Sequence, residues 1–249
     1  MSDRIKILGI EIDRVDMKEA LEKVDYILQK GKGPEMVVTP NPEIIVMSLQ
    51  DSELAAIINQ AALRIPDGSG VVFASRLLKK GIFERVTGFD LMNGIFKLAE
   101  KEDYSIYLLG SEPGVAVTVS KKLRKSYPDL DICGYHHGYL GSQEEKEQLI
   151  EEINELKPDI LFVGMGVPRQ EKFLGENLHL LKIGLAMCVG GSFDVIAGRV
   201  KRAPLWMQEL NLEWLFRLLQ QPGRAGRMLA LPKFALLVLK ECLKKGVSR

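Results

Sequence analysis

Asp67 is the residue of this sequence best suited to act as a general base. It lies between Pro66 and Gly68, directly after the apolar run 63–65, which predicts a short strand. A carboxylate at the carboxyl end of a strand can take a proton from a bound hydroxyl if its pKa and its reach are suitable. An aspartate in such a turn can equally bond to its own backbone. The spacing alone favours the turn interpretation.

Thr39 and Asn41 are a second pair of polar side chains placed after a predicted strand. They belong to the segment Thr39-Pro40-Asn41-Pro42, which follows the apolar run 36–38. The prolines restrict this turn, so that a hydroxyl and an amide could hydrogen-bond a sugar there. The alternative is that Asn41 caps the helix that follows.

The segment Gly110-Ser111-Glu112-Pro113-Gly114 joins a predicted strand to a predicted helix. Free backbone N–H groups at a helix start form an anion site, and the glycines would let a phosphate approach. Short glycine turns are also common without any ligand. The segment is neither a P-loop nor a GxGxxG motif, so P-loop and nicotinamide chemistry lose support.

Pro168-Arg169-Gln170-Glu171 begins another predicted helix, after the glycine turn 164–166. Pro suits the first helical turn, and Glu complements the helix dipole. These preferences do not explain an Arg and a Gln together at the start of a helix that faces a ligand. We therefore expect this stretch to contact substrate.

Metal chemistry is not indicated by the acidic and histidine residues. Asp129 and Asp131 match the DxD spacing by which many sugar-nucleotide enzymes hold a divalent ion, but they begin a predicted strand. That is the end of the sheet where ligands do not bind. His136, His137 and His179 match no metal-ligand spacing. We expect no metal and no cofactor.

The elements that carry these segments alternate along the chain. Apolar runs predict strands, and amphipathic patterns between them predict helices. The apolar runs are 5–10, 36–38, 63–65, 105–109, 130–133, 159–163 and 185–189, and the helical patterns include 16–29, 43–50, 52–61, 70–79, 89–101, 142–156 and a helix ending near 125. This order predicts an α/β, Rossmann-like fold, a mostly parallel sheet with helices on both faces. In such folds, ligands bind at the carboxyl ends of the strands.

The residues from 196 onward differ from the rest in charge. They include eleven Lys or Arg and three Glu, a net charge of +8, whereas residues 1–195 carry 23 basic and 30 acidic side chains, a net charge of −7. This asymmetry predicts an anionic partner. We therefore divide the chain into an α/β catalytic domain, 1–195, and a basic helical appendage, 196–249.

Two helical stretches are predicted in the appendage. In 204–219, one apolar face recurs every four residues and could pack on the body, on a second subunit or on lipid: Trp206, Leu210, Trp214 and Leu218. The longest apolar run of the second stretch, 226–244, has six residues. A spanning helix needs about 20, so the appendage could lie on a bilayer but not cross it.

Arg217, Arg224 and Arg227 surround the break that Pro222-Gly223 predicts between the two stretches. Arginine suits bidentate recognition of phosphate. A run of charge is more often a solvated face, but the surplus of basic residues here also favours an anionic ligand.

Taken together, the segments resemble those of the WecG/TagA/CpsF glycosyltransferases, family 26, over almost the whole chain. The motifs that carry the resemblance are Thr39-Pro40-Asn41-Pro42-Glu43, Pro66-Asp67-Gly68, Glu84-Arg85-Val86-Thr87-Gly88, Leu108-Leu109-Gly110, Pro113-Gly114-Val115, His137-Gly138-Tyr139, Pro158-Asp159-Ile160-Leu161, Gly166-Val167-Pro168-Arg169-Gln170-Glu171, Val189-Gly190-Gly191-Ser192-Phe193-Asp194, Arg202-Ala203-Pro204 and Leu212-Glu213-Trp214-Leu215. Many motifs in one order are far more specific than any one of them.

The resemblance implies an inverting, metal-independent transfer of N-acetylmannosamine, or of its uronic acid, from a UDP-sugar. The implied acceptor is undecaprenyl-diphosphate-linked N-acetylglucosamine, and the nearest likeness is to the branch of the family that builds the wall teichoic acid linkage unit. Asp67 would then be the base, which reverses the preference drawn from spacing, and Thr39 and Asn41 would position the sugars. Arg169 and Gln170 would contact nucleotide or sugar. The appendage would bind the anionic membrane surface and close the active site.

The N-terminal residues and the resemblance together predict where the protein lies in the cell. The N-terminal residues lack the long apolar core of a signal peptide, so we expect a cytoplasmic protein, peripheral at the inner face of the membrane. A homo-oligomer is compatible with the sequence, and we expect no nucleic-acid partner.

Two other functions stay open at this stage. A nucleotide-sugar epimerase or dehydrogenase would need a dinucleotide fingerprint, which the sequence lacks. A non-catalytic adaptor that binds UDP and anionic membrane would explain the basic appendage, but not the polar residues that follow the strands.

Overall fold

The structure is a computed structural model that describes residues 4–82, 84–210, 212–221, 223 and 225–247. It confirms the α/β prediction. Six strands form one parallel sheet in the order β4-β3-β8-β7-β5-β6. Their bounds are β3 (Glu35–Val38), β4 (Leu63–Arg64), β5 (Ile106–Gly110), β6 (Ile132–His136), β7 (Ile160–Gly164) and β8 (Leu185–Cys188).

The first apolar run, 5–10, is not one strand. It folds into an antiparallel hairpin of β1 (Arg4–Ile7) and β2 (Ile10–Asp13), separate from the main sheet. Leu8 and Gly9 form its turn, both with positive φ, which Gly adopts easily. The hairpin reaches the main sheet through a buried ion pair, in which the Arg64 Nη2 atom lies 3.0 Å from the Asp13 carboxylate.

Nine α-helices pack around the sheet in the described residues before the appendage. They are α1 (Met17–Lys30), α2 (Pro42–Ser48), α3 (Ser52–Gln60), α4 (Ser69–Leu77), α5 (Gly88–Lys101), α6 (Val115–Ser126), α7 (Gln143–Leu156), α8 (Arg169–Asn177) and α9 (Ser192–Ala197) among the described residues. Local signals set their limits: Asp16 and Glu19 form a capping box at the start of α1, and Gly31 ends it in the left-handed conformation.

The hydrophobic core lies on both faces of the sheet. Successive residues of a strand point to opposite faces. Val38 and Val163 pack with Ile45 and Ile58 on one face, whereas Phe162, which directly precedes Val163, packs on the other. Burying each such side chain contributes about 1.5–3 kcal/mol, so the sheet holds its strand ends in fixed positions.

The described residues of the appendage form four helices: α10 (Leu205–Glu209), α11 (Glu213–Gln220), α12 (Ala225–Met228) and α13 (Ala230–Val247). The prediction of one continuous helix over 204–219 is wrong, because α10 ends at Glu209 and the Leu212 N–H bonds back to the Met207 carbonyl. The packing side chain here is Met207, which is buried, whereas Trp206 and Leu210 of the predicted face are exposed.

Helix α13 is part of the body's core. Phe234 and Val238 are almost fully buried in the cluster that also contains Ile44 and Val71. The functional division at residue 195 stays a prediction, but this helix cannot be removed without exposing apolar side chains of the body. Within the described part of the chain, no helix has the length and apolar character needed to cross a membrane.

Candidate active site

A cleft with a volume of about 210 Å³ opens at the carboxyl ends of β4, β3, β8 and β7. Its other wall is formed by α11, α12 and the start of α13. It brings together six of the residues that the sequence singled out: Thr39, Asn41, Asp67, Gln170, Arg217 and Arg227. This is the end of a parallel sheet at which ligands bind.

Asp67 follows β4 in a turn that is fixed on both sides. Its N–H bonds to the Ile65 carbonyl at 2.9 Å, and the Val86 N–H bonds to the Pro66 carbonyl at 3.2 Å. The ion pair of Arg64 with Asp13 holds the strand that precedes it. Asp67 is therefore presented to the cleft by a rigid part of the fold.

Burial raises the pKa of the Asp67 carboxyl above its ordinary value. The positive charges of Arg85 and Arg217 oppose this shift, and the carboxylate of Glu213 adds to it. The Asp67 side chain is 21% exposed, so that a small ligand can reach it. A carboxylate whose pKa is raised is a stronger base than an ordinary aspartate.

Thr39 and Asn41 lie across the cleft, at the end of β3. The Asn41 Oδ1 atom accepts the Ile44 N–H at 3.0 Å, so Asn41 caps α2 and also lines the cleft. Thr39 is buried, and a Cβ atom at Gly88 would lie 2.9 Å from its Cγ2 atom. Glycine at this position therefore lets α5 approach the Thr39 side chain closely.

Gln170 and Glu171 have different places in the structure. Gln170 reaches the cleft, and its Oε1 atom accepts the Gly190 N–H at 2.9 Å. Glu171 does not line the cleft: it is 1% exposed and accepts a hydrogen bond from the Gln170 Nε2 atom at 2.8 Å. Its burial raises its pKa. The structure thus places Glu171 behind Gln170 and not against a substrate.

The 110–114 turn lies next to the cleft, after β5, and outside its wall. Gly110 adopts a φ of 145°, and a Cβ atom there would lie 2.5 Å from the Gly164 backbone. Gly114 begins α6 without a side-chain cap, so N–H groups of the first helical turn have no side-chain partner there, although the Val115 N–H bonds to the Glu112 carbonyl at 3.1 Å. The Ser111 Oγ atom is buried, with no hydrogen-bond partner among the described residues.

Arg169 is exposed, with its guanidinium 5.7 Å from the Tyr139 ring.

The appendage brings two of the three predicted arginines to the cleft. Arg217 lies 3.7 Å from Glu213, and Arg227 lies 3.7 Å from Glu43. Arg224 lies outside the described residues. About half of the Arg227 side chain is exposed, and Arg217 is 43% exposed. Both therefore keep surface available for an anion.

Three charged residues of the cleft, Glu43, Arg85 and Glu213, were not predicted as site residues. Arg85 and Glu213 form an ion pair of 2.7 Å that joins the body to α11. Each stands within a motif that carries the resemblance, but neither follows a predicted strand. Only the contact between residues 128 positions apart shows that they belong together.

The DxD-like pair lies where the sequence placed it. Asp129 and Asp131 are exposed and precede β6, at the opposite end of the sheet from the cleft. His136 and His137 lie side by side with ring centroids 4.3 Å apart and ring planes tilted by 46°. Within the part of the chain that the structure describes, no group of three His, Cys, Asp or Glu side chains could hold a metal ion.

Comparison of the sequence with known proteins shows the family of the chain. The sequence profile described as "Glycosyl transferase WecG/TagA/CpsF family" matches residues 5–248. An N-acetylglucosaminyldiphosphoundecaprenol N-acetyl-beta-D-mannosaminyltransferase of Bacillus subtilis (strain 168) is 39% identical over 221 residues, which cover 89% of this chain and 84% of the relative. The enzyme of the same name from Staphylococcus aureus (strain MW2) is 33% identical over 238 residues, covering 95% and 92%.

Proposed function

Since the chain belongs to the WecG/TagA/CpsF glycosyltransferase family, we propose that it transfers N-acetylmannosamine from UDP-N-acetylmannosamine to undecaprenyl-diphosphate-linked N-acetylglucosamine. The relatives are named for this acceptor and this sugar. Their name supports the neutral sugar over its uronic acid. The product would be the linkage unit of wall teichoic acid.

The observation that carries the proposal is that Asp67 lines a cleft at the strand ends together with Arg85, Arg217 and Arg227. Asp67 takes the proton of the acceptor hydroxyl as that oxygen bonds to the anomeric carbon. The bond from the anomeric carbon to the diphosphate breaks at the same time, and UDP leaves with the electron pair. Attack from the face opposite to UDP inverts the anomeric carbon.

The leaving UDP gains negative charge, which the cleft can stabilise with arginines. Arg85, Arg217 and Arg227 line it from the body and from the appendage. Fixed cations and N–H groups in a partly buried site stabilise such charge more strongly than water does. Thr39, Asn41 and Gln170 would hold the sugars, and the 110–114 turn with Arg169 would hold the nucleotide.

The membrane surface is the third proposed partner. The outer side of α13 alternates exposed leucines with lysines, among them Leu236, Leu239, Lys240 and Leu243. An apolar and basic helix surface of this kind suits an anionic bilayer. We therefore place the enzyme at the cytoplasmic face of the membrane, where its lipid-linked acceptor would be.

A direct assay tests the proposal. The full chain is incubated with a lipid-linked N-acetylglucosamine analogue and either UDP-N-acetylmannosamine or its uronate, and both UDP release and the disaccharide product are measured. We expect product from the neutral donor. Product from the uronate alone would assign the other donor, and UDP binding without product from either would favour the non-catalytic adaptor.

A chelator should leave turnover unchanged. The reason is that arginines are in place for the charge that a metal would otherwise neutralise, whereas Asp129 and Asp131 lie at the far end of the sheet. Turnover is measured with and without EDTA, and in the double variant Asp129→Asn/Asp131→Asn. Loss of turnover in EDTA that magnesium or manganese restores would contradict this assignment of the charge.

A further inference from the structure

Arg85 stands between the proposed base and a carboxylate of the appendage. Its Nη2 atom lies 2.7 Å from Oε2 of Glu213 and 3.8 Å from Oδ1 of Asp67. The three side chains are 12–22% exposed. Charges that are partly removed from water interact more strongly than surface pairs. A guanidinium that has two carboxylates within reach is therefore shared according to distance, and Glu213 is the nearer.

From this geometry, and resting on the proposed function, we propose that Glu213 is a positioning residue of the reaction. By binding Arg85 it holds the guanidinium away from Asp67, so that a competent base exists only when α11 is docked on the body. The appendage would thereby act on the base itself, in addition to contributing arginines to the cleft.

The electrostatic consequence of losing Glu213 has a definite sign. Without that carboxylate, Arg85 is free to pair with Asp67 alone. An opposite charge at close range lowers the pKa of a carboxyl by about 1–3 units. Asp67 then stays ionised to lower pH, but it takes a proton from the acceptor hydroxyl less readily, because a weaker base gains less from the transfer.

The other charges around Asp67 do not replace Glu213. Arg85 precedes α5, Arg217 comes from α11, and both favour the ionised carboxylate, as does the Gly88 N–H. On the α2 side, Glu43 lies against Arg227 of α12 at 3.7 Å. Among the groups acting on the Asp67 pKa, Glu213 is the carboxylate that opposes the arginines.

A purely structural role for Glu213 would give different kinetics and stability when the residue is replaced. The residue stands in the first turn of α11, where a negative charge favours a helix. If it only anchored α11, its loss would lower stability or raise KM without moving the pKa of the base. The pH dependence of kcat separates the two roles.

The test compares Glu213→Gln with the wild-type chain on saturating substrates over a range of pH. The carboxamide keeps the size and removes the charge. We expect the acid limb of kcat to move to lower pH by about one unit, and the plateau to fall severalfold. Glu213→Asp, which keeps the charge, should bring the limb back toward the wild type.

Two further variants complete the experiment. Glu209→Gln removes one negative charge from an exposed position of the same appendage and should leave the profile unchanged. In an Arg85→Gln background, Glu213→Gln should move the limb by less, because the shared guanidinium is gone.

The outcomes distinguish this inference from the proposed function. An unmoved acid limb in a folded Glu213→Gln enzyme, whatever its plateau, overturns the role of Glu213 and leaves it as an anchor. If Asp67→Asn were active as well, the base itself would be wrong, and the proposed mechanism would fail with it. A moved limb together with an inactive Asp67→Asn supports both.

Discussion

Asp67→Asn should lower turnover by about 10²–10⁴-fold, the range for the loss of one general base. The carboxamide occupies the same place after β4 and keeps the contacts of the turn, in which the backbone of residues 65–67 and 86 is hydrogen-bonded. The carboxamide cannot take the proton of the acceptor hydroxyl when the hydroxyl oxygen bonds to the anomeric carbon. The arginines that would hold the diphosphate stay in place, so UDP should still bind.

Turnover of the Asp67→Asn chain is measured with the lipid-linked acceptor analogue, and UDP binding by calorimetry. Asp129→Asn is the matched control, because it makes the same change at the opposite end of the sheet. The acid limb of wild-type turnover should lie above the ordinary aspartate pKa of about 3.9, since burial raises the pKa of Asp67 and the base loses its function as it is protonated. Turnover near the wild-type rate in a folded Asn variant would remove Asp67 from the mechanism.

Arg217→Ala and Arg227→Ala should each lower kcat by about 10²–10³-fold, the effect of removing one group that stabilises charge in a transition state. Both side chains face the cleft from the appendage. Their loss should change attachment to vesicles little. We expect the same of Arg224→Ala from the sequence, although that residue lies outside the described part of the chain.

The opposite pattern is expected for the outer side of α13. Replacing Lys240 and Lys244 by Gln removes two exposed charges, about 1 kcal/mol each near an anionic surface, or roughly 30-fold in affinity together. Sedimentation with vesicles containing anionic lipid measures binding, and a short soluble acceptor measures catalysis. If the arginine variants and the lysine variants lost vesicle binding and catalysis to the same extent, the two parts of the appendage would not have separate roles.

Point substitutions are preferable to deletion of the appendage for these experiments. Removing α13 would expose the partners of Phe234 and Val238 in the body's core. Truncating one large buried side chain lowers the free energy of unfolding by about 3–5 kcal/mol. Deleting the helix would remove at least two buried side chains. A truncated chain that loses activity could simply have lost its fold.

The parallel sheet could be predicted because its signals are local. Caps such as Asp16 and Gly31, and apolar runs ending in glycine turns, mark each element without reference to the rest of the chain. The appendage shows where such signals stop. Its four-residue apolar period continues past the end of α10, so the sequence predicts one helix where the structure has two, with Met207 as the buried side chain of the first.

The position of a candidate residue at the cleft could be predicted where it follows from the sheet and was missed where it depends on long-range contact, and the roles of these residues stay predictions. Thr39, Asn41 and Asp67 follow strands, and parallel strands bring their carboxyl ends together. Glu171 also stands shortly after a predicted strand, but its side chain turns inward and accepts a hydrogen bond from Gln170. The pairing of Arg85 with Glu213 has no local signal at all.

The packing of α13 on the body would also affect how a membrane-bound enzyme encounters its acceptor. Phe234 and Val238 fasten this helix to the body, while Leu236, Leu239 and Leu243 point outward. If α13 binds lipid as proposed, its described residues would form a rigid attachment, because the body cannot move relative to this helix without unpacking Phe234 and Val238. The enzyme would diffuse in two dimensions with the mouth of the cleft held at one height above the headgroups. Encounters with the acceptor would then be limited by lateral diffusion, because the enzyme's orientation is already fixed.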